Sequence, residues 1–451
     1  MGHLIALRGR LETRETAVDA FRNGRAAECF SALRGHLDTD SRCLAARAAL
    51  RLNRPDLALS ELSQIDESDL LTAARAECLL LRADALTGLG RFDEAHHTLA
   101  LARIHAYGTP SAALEADVEL ALARYAFAGS DFALAARAAQ AALDVVPTAL
   151  DRADYFVPLE HSRARAYHSL GVIDAAAGHY LEQLVRLRVA LAEMRRARLP
   201  DTWTLANLLM NLSFYVRDLD LDADAAMLRS EVAAGWPADL DVQRFYIVRS
   251  LGWSSALRGN HLGALREFRR AAEIAPTTAL KVWALADRAY LGRELGEPTL
   301  ARDELDQAAD LAQRIDWNAI VGDDRAALLH LAKQTAAVSP ARARLLFESY
   351  RRIKSKLSPH MLNKLDRRLH AHEHCADGII ARAEGAPAIA RERLKRAFEI
   401  WDSIGYRWQA ATAAIELAEL NAGSRYRAYV VHEAAARPTS WLGRRAALLR
   451  G

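Results

Sequence analysis

The stretch LGWSSALRGNHLGALREFRRAAEIAP, residues 251–276, decides how this chain folds. Strong helix formers run up to Gly259, and a second helical pattern starts within three residues of it. A Gly at that point accepts the left-handed conformation that closes a helix. Gly252 lies seven residues before the turn, Ala264 five after it, Phe268 nine after, Ala271 twelve after and Pro276 seventeen after. Small residues at minus seven and plus five sit where two antiparallel helices cross, because a large side chain there would push the backbones apart. The stretch predicts a helical hairpin, with the plus-nine residue filling the gap to the next one.

The same offsets recur along the chain, and a repeat of this kind fixes the architecture. Around Gly90 they give Ala83, Phe92, Ala95, Leu99 and Ala102; around Ser130 they give Ala123, Phe132, Ala135, Ala139, Ala142 and Pro147. Gly296 brings Ala289, Pro298, Ala301, Leu305 and Ala308, and Gly385 brings Gly378, Pro387, Ala390, Leu394 and Ala397. Asn53 carries a weaker copy with Ala46, Pro55, Ala58, Leu62 and Ile65. A turn placed at Gly171 gives Ala164, Ile173, Ala176 and Tyr180, with Gln183 where a small residue is expected. Weak units near Ala226 and Ala343 fill the two wide intervals, for a mean spacing of about 41.5 residues against the 34 of the regular repeat. Strand-like alternation is found over no useful length, so the chain reads as all helix.

These residues resemble the tetratricopeptide repeat, most closely at Gly259. The long spacing is similar to the degenerate helical-repeat domains of large bacterial LuxR-type transcription activators and of peptide-sensing regulators. The resemblance implies an all-α solenoid of about nine to ten hairpins. Residues 1–40 are expected to form a degenerate N-terminal capping hairpin, 41–406 the solenoid and 407–451 the capping helices at the other end. It also implies a partner that is a protein or peptide, and a bacterial regulatory sensor or adaptor. The ATPase and DNA-binding domains of LuxR-type activators are not visible in this chain.

Composition narrows the alternatives. In 451 residues, 60 basic side chains face 57 acidic ones for a net charge of +3, too even for a surface that grips nucleic acid throughout. Only six of the basic residues are Lys, a bias spread along the chain and therefore compositional. Cys29, Cys43, Cys78 and Cys375 form no C-x-x-C pair, so neither a disulfide framework nor a zinc ribbon is readable. The short apolar run before Arg8 and Arg10 is too brief for a signal-peptide core, and no apolar run reaches the ~20 residues of a membrane span. A reducing, cytoplasmic setting without membrane contact is expected.

No phosphate loop, dinucleotide fingerprint, H-E-x-x-H or G-x-S-x-G is present, so an enzyme is not expected and no cofactor is implied. HAHEHC, residues 370–375, puts His370 and His374 four apart on one helix face, which a metal-dependent enzyme would need to complete with a third ligand. Segment 341–374 holds nine basic residues (Arg342, Arg344, Arg351, Arg352, Lys354, Lys356, Lys364, Arg367, Arg368) and three acidic ones. A solvated face is the main reading of it, with a transcription regulator contacting DNA through 341–374 as the alternative. The principal functional expectation is the inner wall, which the first helix of every hairpin lines in a solenoid. It predicts a groove presenting His161, Arg165 and His168, then Asn207 and Asn211, then Tyr246, Arg249 and Trp253, then Trp283, Tyr290 and Arg293. Amides four apart can pair with a peptide backbone, and aromatic and Arg anchors favour binding.

Overall fold

The computed structural model describes residues 2–66, 70–147, 156–219, 221–320, 322–355 and 367–449. Among them are 23 α-helices and no strand. The chain divides into two compact units, Met1–Leu209 with Trp236–Leu240, and Met210–Gly235 with Asp241–Gly451.

The N-terminal unit is a series of antiparallel hairpins: α1 (Gly2–Arg22) with α2 (Ala26–Leu33), α3 (Thr39–Arg51) with α4 (Pro55–Leu62), and α5 (Thr72–Gly88) with α6 (Phe92–Tyr107). Then come α7 (Ala112–Ala128) with α8 (Phe132–Asp144) and α9 (Leu159–Ala176) with α10 (Tyr180–Arg196). Helix α11 (Thr202–Leu219) begins in this unit, and the division falls within it. The segment Trp236–Leu240 also belongs here: Asp239 accepts a hydrogen bond from the Ala27 amide at 2.8 Å, which caps the first turn of α2.

The C-terminal unit holds α12 (Asp222–Ala233), α13 (Asp241–Leu257) with α14 (His261–Ile274), and α15 (Thr278–Glu294) with α16 (Pro298–Gln313). It continues with α17 (Ala326–Thr335) and α18 (Pro340–Ser355), α19 (Arg367–Ala383) and α20 (Pro387–Ser403), α21 (Arg407–Glu419) and α22 (Ser424–Ala435), and ends in α23 (Trp441–Leu448).

The turns take the form the repeat requires. Gly90, Gly259, Gly296 and Gly385 all have positive φ, and Asn53 and Ser130 adopt the same left-handed conformation at φ 56° and 61°. Alanines 58, 95, 135, 264 and 390 have no exposed surface, and Ala301 is nearly as buried. A Cβ at Gly252 would stand 2.6 Å from the Phe268 ring, and one at Gly378 would stand 2.6 Å from Leu394 Cγ. The plus-nine side chain therefore lies on the minus-seven residue of its own hairpin, where the sequence suggested the gap to the next one.

Two registers differ from the expectation. Gly171 is inside α9, and the turn falls at Gly178, φ 87°. Ala176 is exposed at the end of α9, Tyr180 opens α10 as Phe92 and Phe132 open theirs, and the crossing position is the buried Gln183. Gly171 then becomes the small minus-seven residue, where an added Cβ would stand 3.5 Å from both Gln183 and Arg186. Near residue 226 the buried alanine is Ala225 and Ala226 is exposed, whereas Ala343 is buried as expected.

The C-terminal helices reach back to α13 and α15. Trp408 of α21 stacks on Trp253 of α13 with centroids 5.6 Å apart, and its indole donates to the Arg217 carbonyl at 2.8 Å. Trp441 of α23 meets Tyr290 edge-on at 5.5 Å. Among the described residues, no helix is long and apolar enough to cross a membrane.

Candidate functional site

In the N-terminal unit a cavity of about 610 Å³ is lined from the first helix of five successive hairpins and from the start of α11: Arg22 on α1, Arg51 on α3, Asp84 on α5, Asp117 on α7, Arg165 on α9 and Asn207 on α11. The reason lies in the repeat. Counting from each turn, Arg47, Asp84 and Arg124 all stand six residues before it, on the helix face next to the small minus-seven residue. Glu77, Asp117 and Arg165 stand thirteen before, two helical turns further along the same face. Stacking the hairpins brings these charges into one ladder.

The ladder is cross-linked. Arg165 donates to Asp117 at 2.6 Å and to the Ser162 hydroxyl at 3.2 Å. Arg47 reaches the other Asp117 oxygen at 3.4 Å and Glu77 at 3.0 Å. Arg124 holds Asp84 in a two-bond fork, and Arg51 donates to Asp201 at 2.9 Å while its guanidinium lies 3.5 Å over the Phe21 ring. Burial by itself would raise the Asp201 carboxyl, but Arg51 and two Thr204 hydrogen bonds hold it below its ordinary value. The bond from the Thr204 amide also caps the start of α11.

Of the expected groove residues, four line this cavity: His161, Arg165, His168 and Asn207. His161 is buried with Nε2 2.8 Å from the Leu199 carbonyl, and burial pushes its pKa down. Burial lowers His168 to about 4, so it is neutral at pH 7. Asn207 donates to the Trp203 carbonyl at 2.8 Å.

No family model matches the chain, and no curated protein matches it. Among solved structures, it is similar to the apo form of the quorum sensor NprR from B. thuringiensis, with 11% identity over 85% of this chain and 97% of that one and a TM-score of 0.49. It is similar to a Rap protein complexed with Competence and Sporulation Factor (13% identity, 91% and 97% covered, TM-score 0.44) and to yeast Tom70 (14%, 98% and 95%, 0.39). The hairpins themselves define the fold. It is an α-solenoid of tetratricopeptide-like repeats.

The remaining expected residues belong to the C-terminal unit, where Asn211 is half-buried on α11. Tyr246, Arg249, Trp253, Trp283 and Tyr290 are all at least nine-tenths buried. Arg249 forms a two-bond ion pair with Asp287 and lies 4.2 Å over the Trp283 ring; Tyr246 donates to Asp324 at 2.7 Å. Arg293 reaches the Gln334 side chain at 3.4 Å. Trp253 and Tyr290 differ from the expected open strip because α21 and α23 pack Trp408 and Trp441 onto them, Trp283 is covered by His330, and Arg249 is taken up by Asp287. A line of rings continues from Trp283 through His330 and His372 to Trp401, each step 5.2 Å. Both histidines are held far below their usual pKa by burial, then by cations that include Lys333, Arg217 and Arg249.

Two other expectations meet specific partners. In 341–374, Lys356 and Lys364 lie outside the described residues. Arg344 pairs with Asp377 and Glu384, Lys354 with Glu373, Arg342 with Asp306 and Arg351 with Glu348. Most of the described cations of α18 are thus neutralised within the unit. His370 Nδ1 is 3.9 Å from Glu373, and among the described residues no three His, Cys, Asp or Glu side chains gather as a metal site, so His370 and His374 lack a third ligand there.

The four cysteines are free and buried. The sulfurs of Cys43 and Cys78 are 3.3 Å apart between α3 and α5, a pairing that residues 35 positions apart did not advertise.

Proposed function

We propose that this chain is a non-enzymatic repeat protein that binds a peptide or protein segment and works as a regulatory sensor or adaptor in the bacterial cytoplasm. One observation carries the reading: six helices converge on a single cavity in the N-terminal unit, with Arg165, His161, His168 and Asn207 on its wall. Its volume is in the range of sites that enclose ligands, and its apolar and charged groups are mixed as such sites require. The cross-linked ladder fixes the wall before any ligand arrives, which lowers the ordering cost of binding. Its carboxylates are each held by an arginine, so they serve recognition and shape rather than proton transfer.

The test is to purify the chain from its own cells, elute and sequence what co-purifies, resynthesise it and titrate it. Binding that falls at least tenfold in Arg165→Ala and Asn207→Ala supports the proposal. Affinity unchanged in both variants counts against it.

A further inference from the structure

The cavity of the N-terminal unit is asymmetric in charge. Five guanidiniums (Arg22, Arg47, Arg51, Arg124 and Arg165) face three carboxylates on its wall. Those carboxylates are already engaged: Asp84 by Arg124, Asp117 by Arg47 and Arg165, and Asp201 by Arg51. Glu77 takes the second side of Arg47. Among the described residues Arg22 alone of the five has no carboxylate in ion-pair contact; Asp19, whose field favours it, is paired to Arg25 at 2.9 Å. Arg22 is half-buried and lies 5.5 Å over the Phe156 ring, and Phe156 meets Phe21 edge-on at 5.4 Å. With Trp203 also on the wall, the surplus cation sits beside an aromatic surface. A cationic ligand would have to displace an arginine from its carboxylate, whereas an anion meets Arg22 without breaking any pair.

We infer that this cavity takes a ligand presenting a carboxylate, or a like anion, beside an aromatic or other bulky apolar body, with the anion at Arg22 and the body against Phe21, Phe156 and Trp203. This rests on the reading of the cavity as a binding site and adds the chemistry it selects. The anion has two sources, the free C-terminus of a short peptide or a small organic acid.

The test uses the full chain and two dyes of the same ring system, anionic 8-anilinonaphthalene-1-sulfonate and neutral N-phenyl-1-naphthylamine, followed by fluorescence. The anionic dye is expected to bind at one site per chain, roughly ten- to a hundredfold tighter than the neutral one, the gain of a charge-assisted contact. Arg22→Ala is expected to abolish that ratio while leaving the neutral dye's affinity in place, and Arg22→Lys to restore part of it. Unchanged circular dichroism melting separates these effects from misfolding. Displacement of the dye by the tripeptide alanyl-alanyl-phenylalanine but not by its C-terminal amide assigns the peptide source. Displacement by 2-naphthoate alone assigns the organic acid. Equal affinity for the two dyes, or displacement by the amide as readily as by the acid, overturns the inference and leaves the cavity a binding site. Failure of both dyes to bind overturns the two together.

Discussion

Gly252 and Phe268 are in such close contact that a single added methyl would stand 2.6 Å from the ring. The ring has no free space to retreat into, because Phe268 has no exposed surface and packs edge-on to Trp253 at 5.3 Å. Gly252→Ala gains helix propensity, about 1 kcal/mol, but overpacks a core where added methylenes cost about 1–3 kcal/mol. The net expectation is destabilisation of up to about 2 kcal/mol, seen as a lower urea midpoint. An unchanged or higher midpoint would mean the helix crossing is looser than described.

Arg249 and Asp287 form a pair with side chains 3% and 2% exposed. Asp287→Ala leaves a buried guanidinium without its counter-charge and is expected to cost about 3–5 kcal/mol, whereas Arg249→Met combined with Asp287→Leu should recover much of that loss. Chemical denaturation of the two variants checks the ranking.

Acid should weaken the fold through its histidines. His168 is lowered to about 4, and His330 and His372 are held well below 6.5. Each binds a proton more readily when unfolded. Their full contribution to stability is therefore present above about pH 6.5 and declines as pH falls through that value toward the folded pKa, by at most about 1.4 kcal/mol per pH unit per group. Melting temperatures from pH 7.5 to 5 should fall, and His168→Asn should flatten part of the slope. A flat profile in the unsubstituted protein would contradict the burial of these rings.

The thiols should be silent in the native state. Burial raises Cys29 to about 12, and Cys43 and Cys375 also stand above their ordinary value, Cys43 through its contact with Cys78 and burial, Cys375 through burial. Little thiolate forms at these three at pH 8, and Cys78 has no exposed surface, so a disulfide-exchange reagent should label no cysteine in minutes and all four after denaturation. Rapid labelling of any one would show that its helix pair opens.

Much of the fold was legible because a repeat restates its instructions. Turn residues, crossing alanines and hairpin order could be read wherever a Gly, Asn or Ser stood at the left-handed position. The turn placed at Gly171 instead of Gly178 was off by seven residues, yet His161, Arg165 and His168 still lie on one wall, since seven residues are close to two full helical turns. The charge ladder was less legible. Arg47, Asp84 and Arg124 share one repeat position, but a recurring charge reads as a solvated face until stacking shows what it opposes. In the C-terminal unit the residues expected on an open wall are mostly buried, and what covers them was not legible. That Trp408 and Trp441 fold back onto Trp253 and Tyr290 is a contact across 155 and 151 residues, which no local period encodes.

Ligand capture by the cavity of the N-terminal unit can be read in living cells. A photo-crosslinking amino acid placed in living cells at Val172, on its wall, can be compared with one at Leu181, 65% exposed on α10. Capture of one defined peptide or protein at position 172 and not at 181 is the predicted result. Equal labelling at both positions, or none at 172, would contradict it.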